Sequence, residues 1–198
     1  MGLFVLIGIA VRVINYPNFL YFTWDQGRDA WMIDRIIHGD LTLIGPTSGL
    51  QGFFLGPLWY YLGVPGSLLS SGNAYGISLW YILLSCLALP IFWLIGHHLF
   101  PKKEDRLWAL ITSLLLAFLP GSVQASTFIW NPLISLPLVS GAFYALLRAR
   151  KSRSWLILGF FLWALTLQSE FAYAIFFIGP LWLSIPWIRQ KIDWRDFL

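Results

Sequence analysis

Residues 74–96, AYGISLWYILLSCLALPIFWLIG, run without a single charged side chain. A helix that crosses a bilayer needs about 20 apolar residues, with a range of roughly 17 to 25. One such run can also be the core helix of a soluble protein, so the rest of the chain has to decide. Of its 198 residues 58% are apolar and 11% charged, against about half and about a quarter in a soluble domain. Mean hydropathy is +0.71. Too few polar side chains remain to cover a water-facing surface, and the chain reads as an integral membrane protein.

The charge pattern agrees. Ten of the thirteen basic residues fall in three clusters: Lys102, Lys103, Arg106; Arg148, Arg150, Lys151, Arg153; and Arg189, Lys191, Arg195. Each cluster sits between apolar runs, as cytoplasmic loops do under the positive-inside rule. The net charge of +4 therefore argues for membrane topology and against a nucleic-acid partner. Several Trp fall at the ends of apolar runs (Trp24, Trp108, Trp130, Trp155, Trp187, Trp194), as an interfacial belt requires. The lone Cys86 lies in an apolar run and can build neither a disulfide nor a thiolate metal site. No basic n-region or cleavage site accompanies the first fourteen residues, which read as an anchor rather than a signal peptide.

The predicted fold class is all-α, a polytopic transmembrane helical bundle of about six spans, in a chain that reads as the front part of something longer. Span 1 covers 1–14, span 2 74–97, span 3 107–129, span 4 132–147, span 5 155–169 and span 6 171–188. Pro120–Gly121 predicts a kink in span 3, and Pro132 suits a first helical turn. Residues 15–73 form the loop between spans 1 and 2. Its segment 53–71 is apolar enough to cross but is broken by Gly56, Pro57, Gly63, Pro65 and Gly66, which favours a surface-lying or re-entrant helix.

Nearly all the remaining polarity lies in residues 21–54. Thr23 or Asp25 can cap a helix that runs to about His38 and stops at Gly39. At 100° per residue, Asp25 and Asp29 share the sector of Met32 and Ile36, while Arg28, Asp34, Arg35 and His38 point elsewhere. Two acids on an apolar face are costly unless a cation, a metal or a proton satisfies them, which makes them site candidates. The glycines of 45–56, with Thr47 and Ser48, would let amides approach an anion, or they make a plain turn-rich connector. Glu170 is the only charge within 155–188, with Gln168 beside it. It is either a membrane-level functional acid or an outer-loop residue in a tight turn. Asn131 before Pro132 is expected to cap its helix, and Arg12 to snorkel to the interface.

The stretch DQGRDAWMIDRIIHGDLTLIGPTSGLQGFFLGPLWYYL resembles the first external loop of C-type-fold polytopic glycosyltransferases. The likeness is to the family 39-like enzymes related to protein O-mannosyltransferases and the lipid A aminoarabinose transferase. STFIWNPLISLPL at 126–138 and LQSEF at 167–171 are similar to the same group. The resemblance implies that the loop is external with juxtamembrane helices, which places 53–71 on the surface. It implies a bacterial cell-membrane enzyme with its active face outward. The reaction would be inverting transfer of a sugar from a polyprenyl-phosphate donor to a lipid, glycan or protein acceptor.

In such enzymes an acid at the start of this loop is central, and Asp25 matches it by position. Many relatives carry Asp-Glu there; this chain has Asp25-Gln26, so a role that needs the second carboxylate falls to Asp29. The expected catalytic residues are Asp25, as base or as ligand of a divalent cation such as Mg or Mn, and Glu170. Arg28 and Arg35 suit the departing phosphate, since Arg forks onto phosphate oxygens. Asp29, Asn131 and Gln168 complete the expected substrate contacts. The rival readings are a transporter or flippase for an anionic solute and a non-catalytic scaffold subunit.

Overall fold

The computed structural model describes residues 2–14, 16–50, 52–102, 106–149, 152–175 and 178. Among them the regular elements are all helical: α1 (Gly2–Val13), α2 (Tyr16–Phe19), α3 (Trp24–Ile37), α4 (Leu58–Leu69), α5 (Ala74–Ser85) and α6 (Ala88–Leu99), then α7 (Arg106–Phe118), α8 (Pro120–Thr127), α9 (Ser135–Arg148) and α10 (Arg153–Ser169). A 3₁₀ turn, Asn131–Ile134, leads into α9.

α5 and α6 together form one helix, Ala74–Leu99, of mean hydropathy 2.1, long and apolar enough to cross a membrane. α7 and α8 pass the same test as a pair and are bent by 50° at their junction. The bend lies where Pro120 predicts it, because proline has no N–H to give the preceding turn. α1 and α9, of 12 and 14 residues, fall short of the roughly 17 a straight crossing needs, and α10, of 17, sits at that edge. The segment expected as span 6, 171–188, lies outside the described residues beyond 175 apart from 178.

Sequence neighbours pack as pairs. α3 lies on α4 and α4 on α5, while α6 is flanked by α7 and α9, and α9 pairs with α10. The main core joins Ile33, Trp59, Tyr81, Ile82 and Leu89. A second cluster of Ala142, Leu146, Ala149 and Leu156 seals α9 against α10. Gly63 permits the closest approach of the loop helices. A Cβ there would lie 2.3 Å from Ile33 Cδ1 and 2.4 Å from the Tyr81 hydroxyl.

Arg12 departs from expectation. It is 3% exposed and does not snorkel. Its Nη1 donates to the carbonyls of Gly8 (2.9 Å) and Ala117 (2.7 Å), and its Nη2 to Leu116 O (3.0 Å) and Ser122 Oγ (3.3 Å). The last turn of α7 leaves carbonyls without intrahelical donors, and the guanidinium supplies them. A helix of the first segment is thereby locked to the α7–α8 bend.

Candidate functional site

The loop helix α3 starts and stops where its sequence signals lie. Thr23 is the N-cap, and Gly39 takes a left-handed φ of +93° just past the helix end. Gln26 completes the start by accepting from the Thr23 amide at 2.7 Å, half of a capping box.

Four residues later the buried part of the site begins. Asp29 Oδ1 accepts from Arg28 Nε (2.9 Å) and Nη2 (2.7 Å), and Asp29 Oδ2 accepts from Trp59 Nε1 (2.6 Å). The Trp59 ring stacks on Tyr81 at 3.7 Å, whose hydroxyl donates to the Trp59 carbonyl at 2.6 Å. The remaining edge of Arg28 reaches out, with Nη1 2.9 Å from Asp25 Oδ1.

The two acids therefore differ although they share a sector of the helix. The Asp25 side chain is 58% exposed and that of Asp29 7%. Asp25 lies in the first turn of α3, whereas Asp29, one turn further on, is within reach of Trp59. Contrary to the helical-wheel reading, only Asp29 faces the protein, and Arg28 joins both acids instead of pointing away. Burial raises the proton affinity of Asp29 above the ordinary carboxylate range, against the opposing pull of Arg28 and Trp59. Burial lowers that of Arg28, but the Asp29 charge and hydrogen bond outweigh it and the guanidinium holds its proton more tightly. The neighbouring Tyr60 hydroxyl is pushed up to about 12, first by burial and then by the Asp29 charge.

The other two resembling stretches meet this loop. Gln26 Nε2 donates to the Ile129 carbonyl, which ties the start of α3 to the segment before the 3₁₀ turn. Two residues on, Asn131 Nδ2 donates to Ser169 O (2.8 Å) and to Glu170 Oε2 (3.3 Å). Ser169 Oγ returns a bond to Asn131 O (3.1 Å) and meets Ser135 Oγ at 2.5 Å. Asn131 thus staples α10 to the 3₁₀ turn and does not cap a helix. Glu170 is an extended residue (φ −163°, ψ 120°) at the end of α10, partly buried, where one helix stops and the next begins. Gln168 packs on Gly56, where a Cβ would lie 2.6 Å from Gln168 Cγ.

The structure thus gathers Asp25, Arg28 and Asp29 in one group and Asn131, Gln168 and Glu170 in another, with Gln26 and Ile129 as the link. Arg35 belongs to neither. It pairs with exposed Asp40 and lies over the Trp31 ring at 4.7 Å. The glycine-rich segment folds back on itself. The amides of Gly45, Ser48 and Leu55 donate to Leu55 O, Phe53 O and Pro46 O, and Thr47 bridges Phe54 in an antiparallel pair.

A divalent cation at Asp25 would find one open carboxylate, shared with a guanidinium. Among the described residues no three His, Cys, Asp or Glu side chains converge, so this donor set does not fit a metal centre. Two residues were missed in the sequence. Gln26 was legible from the Thr23-x-x-Gln26 spacing; Trp59 had no local signal. No family model, curated protein or solved structure matches the chain.

Proposed function

We propose that this chain is a polytopic membrane glycosyltransferase that moves a sugar from a polyprenyl-phosphate donor to an acceptor at the outer face. The observation that carries the reading is the Asp25–Arg28 pair. An exposed carboxylate is held in place by a guanidinium whose other edge is anchored on buried Asp29 and Trp59. In inverting transfer the Asp25 carboxylate takes the acceptor hydroxyl proton. The acceptor oxygen attacks the anomeric carbon, and the phosphate leaves with the electron pair of the broken bond. Arg28 has five N–H donors; three lie on the acids and the Tyr60 hydroxyl takes another, which leaves one for the departing phosphate.

Membrane placement is supported by the outer faces of the helices. Large apolar side chains stand exposed on α1 (Leu3, Leu6), α7 (Leu107, Leu115) and α10 (Ile157, Phe161), a distribution that water does not favour. The loop adds exposed Trp24, Leu43 and Phe53, side chains of the kind an interface takes.

The test incubates membranes that hold the protein, or Asp25→Asn, with a panel of radiolabelled polyprenyl-phosphate sugars. Transfer should fall at least about 100-fold in the variant while membrane insertion is unchanged. Retained transfer removes Asp25 from the mechanism. No transfer from any donor by folded protein favours the second reading, a carrier of an anionic solute. The bent α7–α8 pair beside buried Arg12 suits such a carrier, since broken helices line transport sites.

A further inference from the structure

A cavity of about 500 Å³ lies on the far side of the Phe128–Trp130 segment from the acid pair. That segment is extended at both ends, so its side chains alternate. Ile129 is buried beside Gln26, while Phe128 and Trp130 line the cavity. The remaining wall has an aliphatic part, with Ala88, Leu116 and Leu136, and a polar part, with Ser85, Gln124 and Ser126.

One charge lines it. Arg12 makes all four of its bonds to neutral oxygens, and among the described residues no carboxylate forms an ion pair with it. Hydrogen bonds to neutral oxygens solvate the guanidinium without cancelling its charge, in a place where unpaired charge is expensive. The apolar part of the cavity has the complementary problem. Filled with water at ~30 Å³ per molecule the cavity would hold roughly 17, and those against the aliphatic wall would find no polar partner on that side.

One class of ligand answers both. We infer that this cavity is a binding site for an anionic amphiphile, with its carboxylate or phosphate head on Arg12 and its single apolar chain along Phe128, Trp130 and Leu136. The head enters beside Ser122, whose 3.3 Å bond is the longest that Arg12 makes and the one an anion displaces. The site is separate from the acid pair and goes beyond the transfer reading; it holds for a transferase and a carrier alike.

The test uses the purified full chain in neutral-detergent micelles and native mass spectrometry, with no sugar donor present. The probes are dodecanoate, dodecyl phosphate, dodecanol and inorganic phosphate. One dodecanoate or dodecyl phosphate should bind per chain, at least tenfold tighter than dodecanol. Arg12→Gln should erase that preference and Arg12→Lys should keep part of it. Because Arg12 also holds α7, the deciding variant is Ala125→Trp, at a lining residue that makes no bond to the guanidinium; its indole takes up cavity space and should weaken both anions at least tenfold. Equal binding of dodecanol overturns the inference, as does unchanged binding by Ala125→Trp. Inorganic phosphate that competes at equal affinity also overturns it, since the site would then take a free anion.

Discussion

Arg28 holds Asp25 and Asp29 at once, through Nη1 at 2.9 Å and Nη2 at 2.7 Å. The guanidinium is the hinge between an exposed acid and a buried one. Its removal leaves Asp29 with Trp59 alone. Arg28→Gln should destabilise the chain by about 2 kcal/mol, less than the ~3–5 kcal/mol of a fully buried pair because Arg28 is 25% exposed. Arg28→Gln combined with Asp29→Asn should recover part of that loss. Denaturant unfolding in micelles measures both, and a double variant less stable than Arg28→Gln would contradict the pairing.

The buried acid also predicts a direction for pH. Asp29 keeps its proton to a pH above the ordinary 3.8, so between those values the folded chain binds more protons than the unfolded one. Its contribution is fully present below 3.8 and is lost as pH rises through the folded value. Relative to Asp29→Asn, the wild type should gain thermal stability as pH falls from neutrality toward 3.8. A relative gain in the opposite direction would mean that Arg28 and Trp59 outweigh burial.

Gly63 is a steric prediction. A methyl group placed there meets Ile33 Cδ1 at 2.3 Å and the Tyr81 hydroxyl at 2.4 Å. Gly63→Ala should cost about 1–3 kcal/mol by overpacking and lower Tm, with helix content by circular dichroism unchanged below the transition.

The six-span proposal predicts which side each loop occupies. In a Cys86→Ala background, cysteines at Ser48 and Leu50 should label from outside with an impermeant maleimide. Cysteines at Lys102 and Ser152 should label only after permeabilisation. Labelling of all four from one side would refute the topology while leaving the cavity test intact.

The sequence made some of this legible and hid the rest. The limits of α3 were readable because capping is local chemistry, from Thr23 at one end to Gly39 at the other. That segment 53–71 holds a short helix was readable, because its glycines and Pro65 weaken a long straight one, and α4 spans Leu58–Leu69. The bend at Pro120 was readable for the same reason. Arg12 was not, because three of its four acceptors lie more than a hundred residues away. The contrast between Asp25 and Asp29 was also invisible. A helical wheel gives direction around an axis but not which turns along it a neighbouring helix covers. Trp59, thirty residues from Asp29, belongs to that same long-range class.

The bend between α7 and α8 has a consequence for height. At 1.5 Å per residue the two helices, of 13 and 8 residues, would reach about 32 Å if straight. Folded over by 50° they reach only about 27 Å along the α7 axis, somewhat less than the ~30 Å of a bilayer's hydrocarbon core. On the membrane reading, the bend that Pro120 makes is then a length gauge: it sets how thick a bilayer this pair of helices fits, and Arg12, bonded to both arms, clamps that setting.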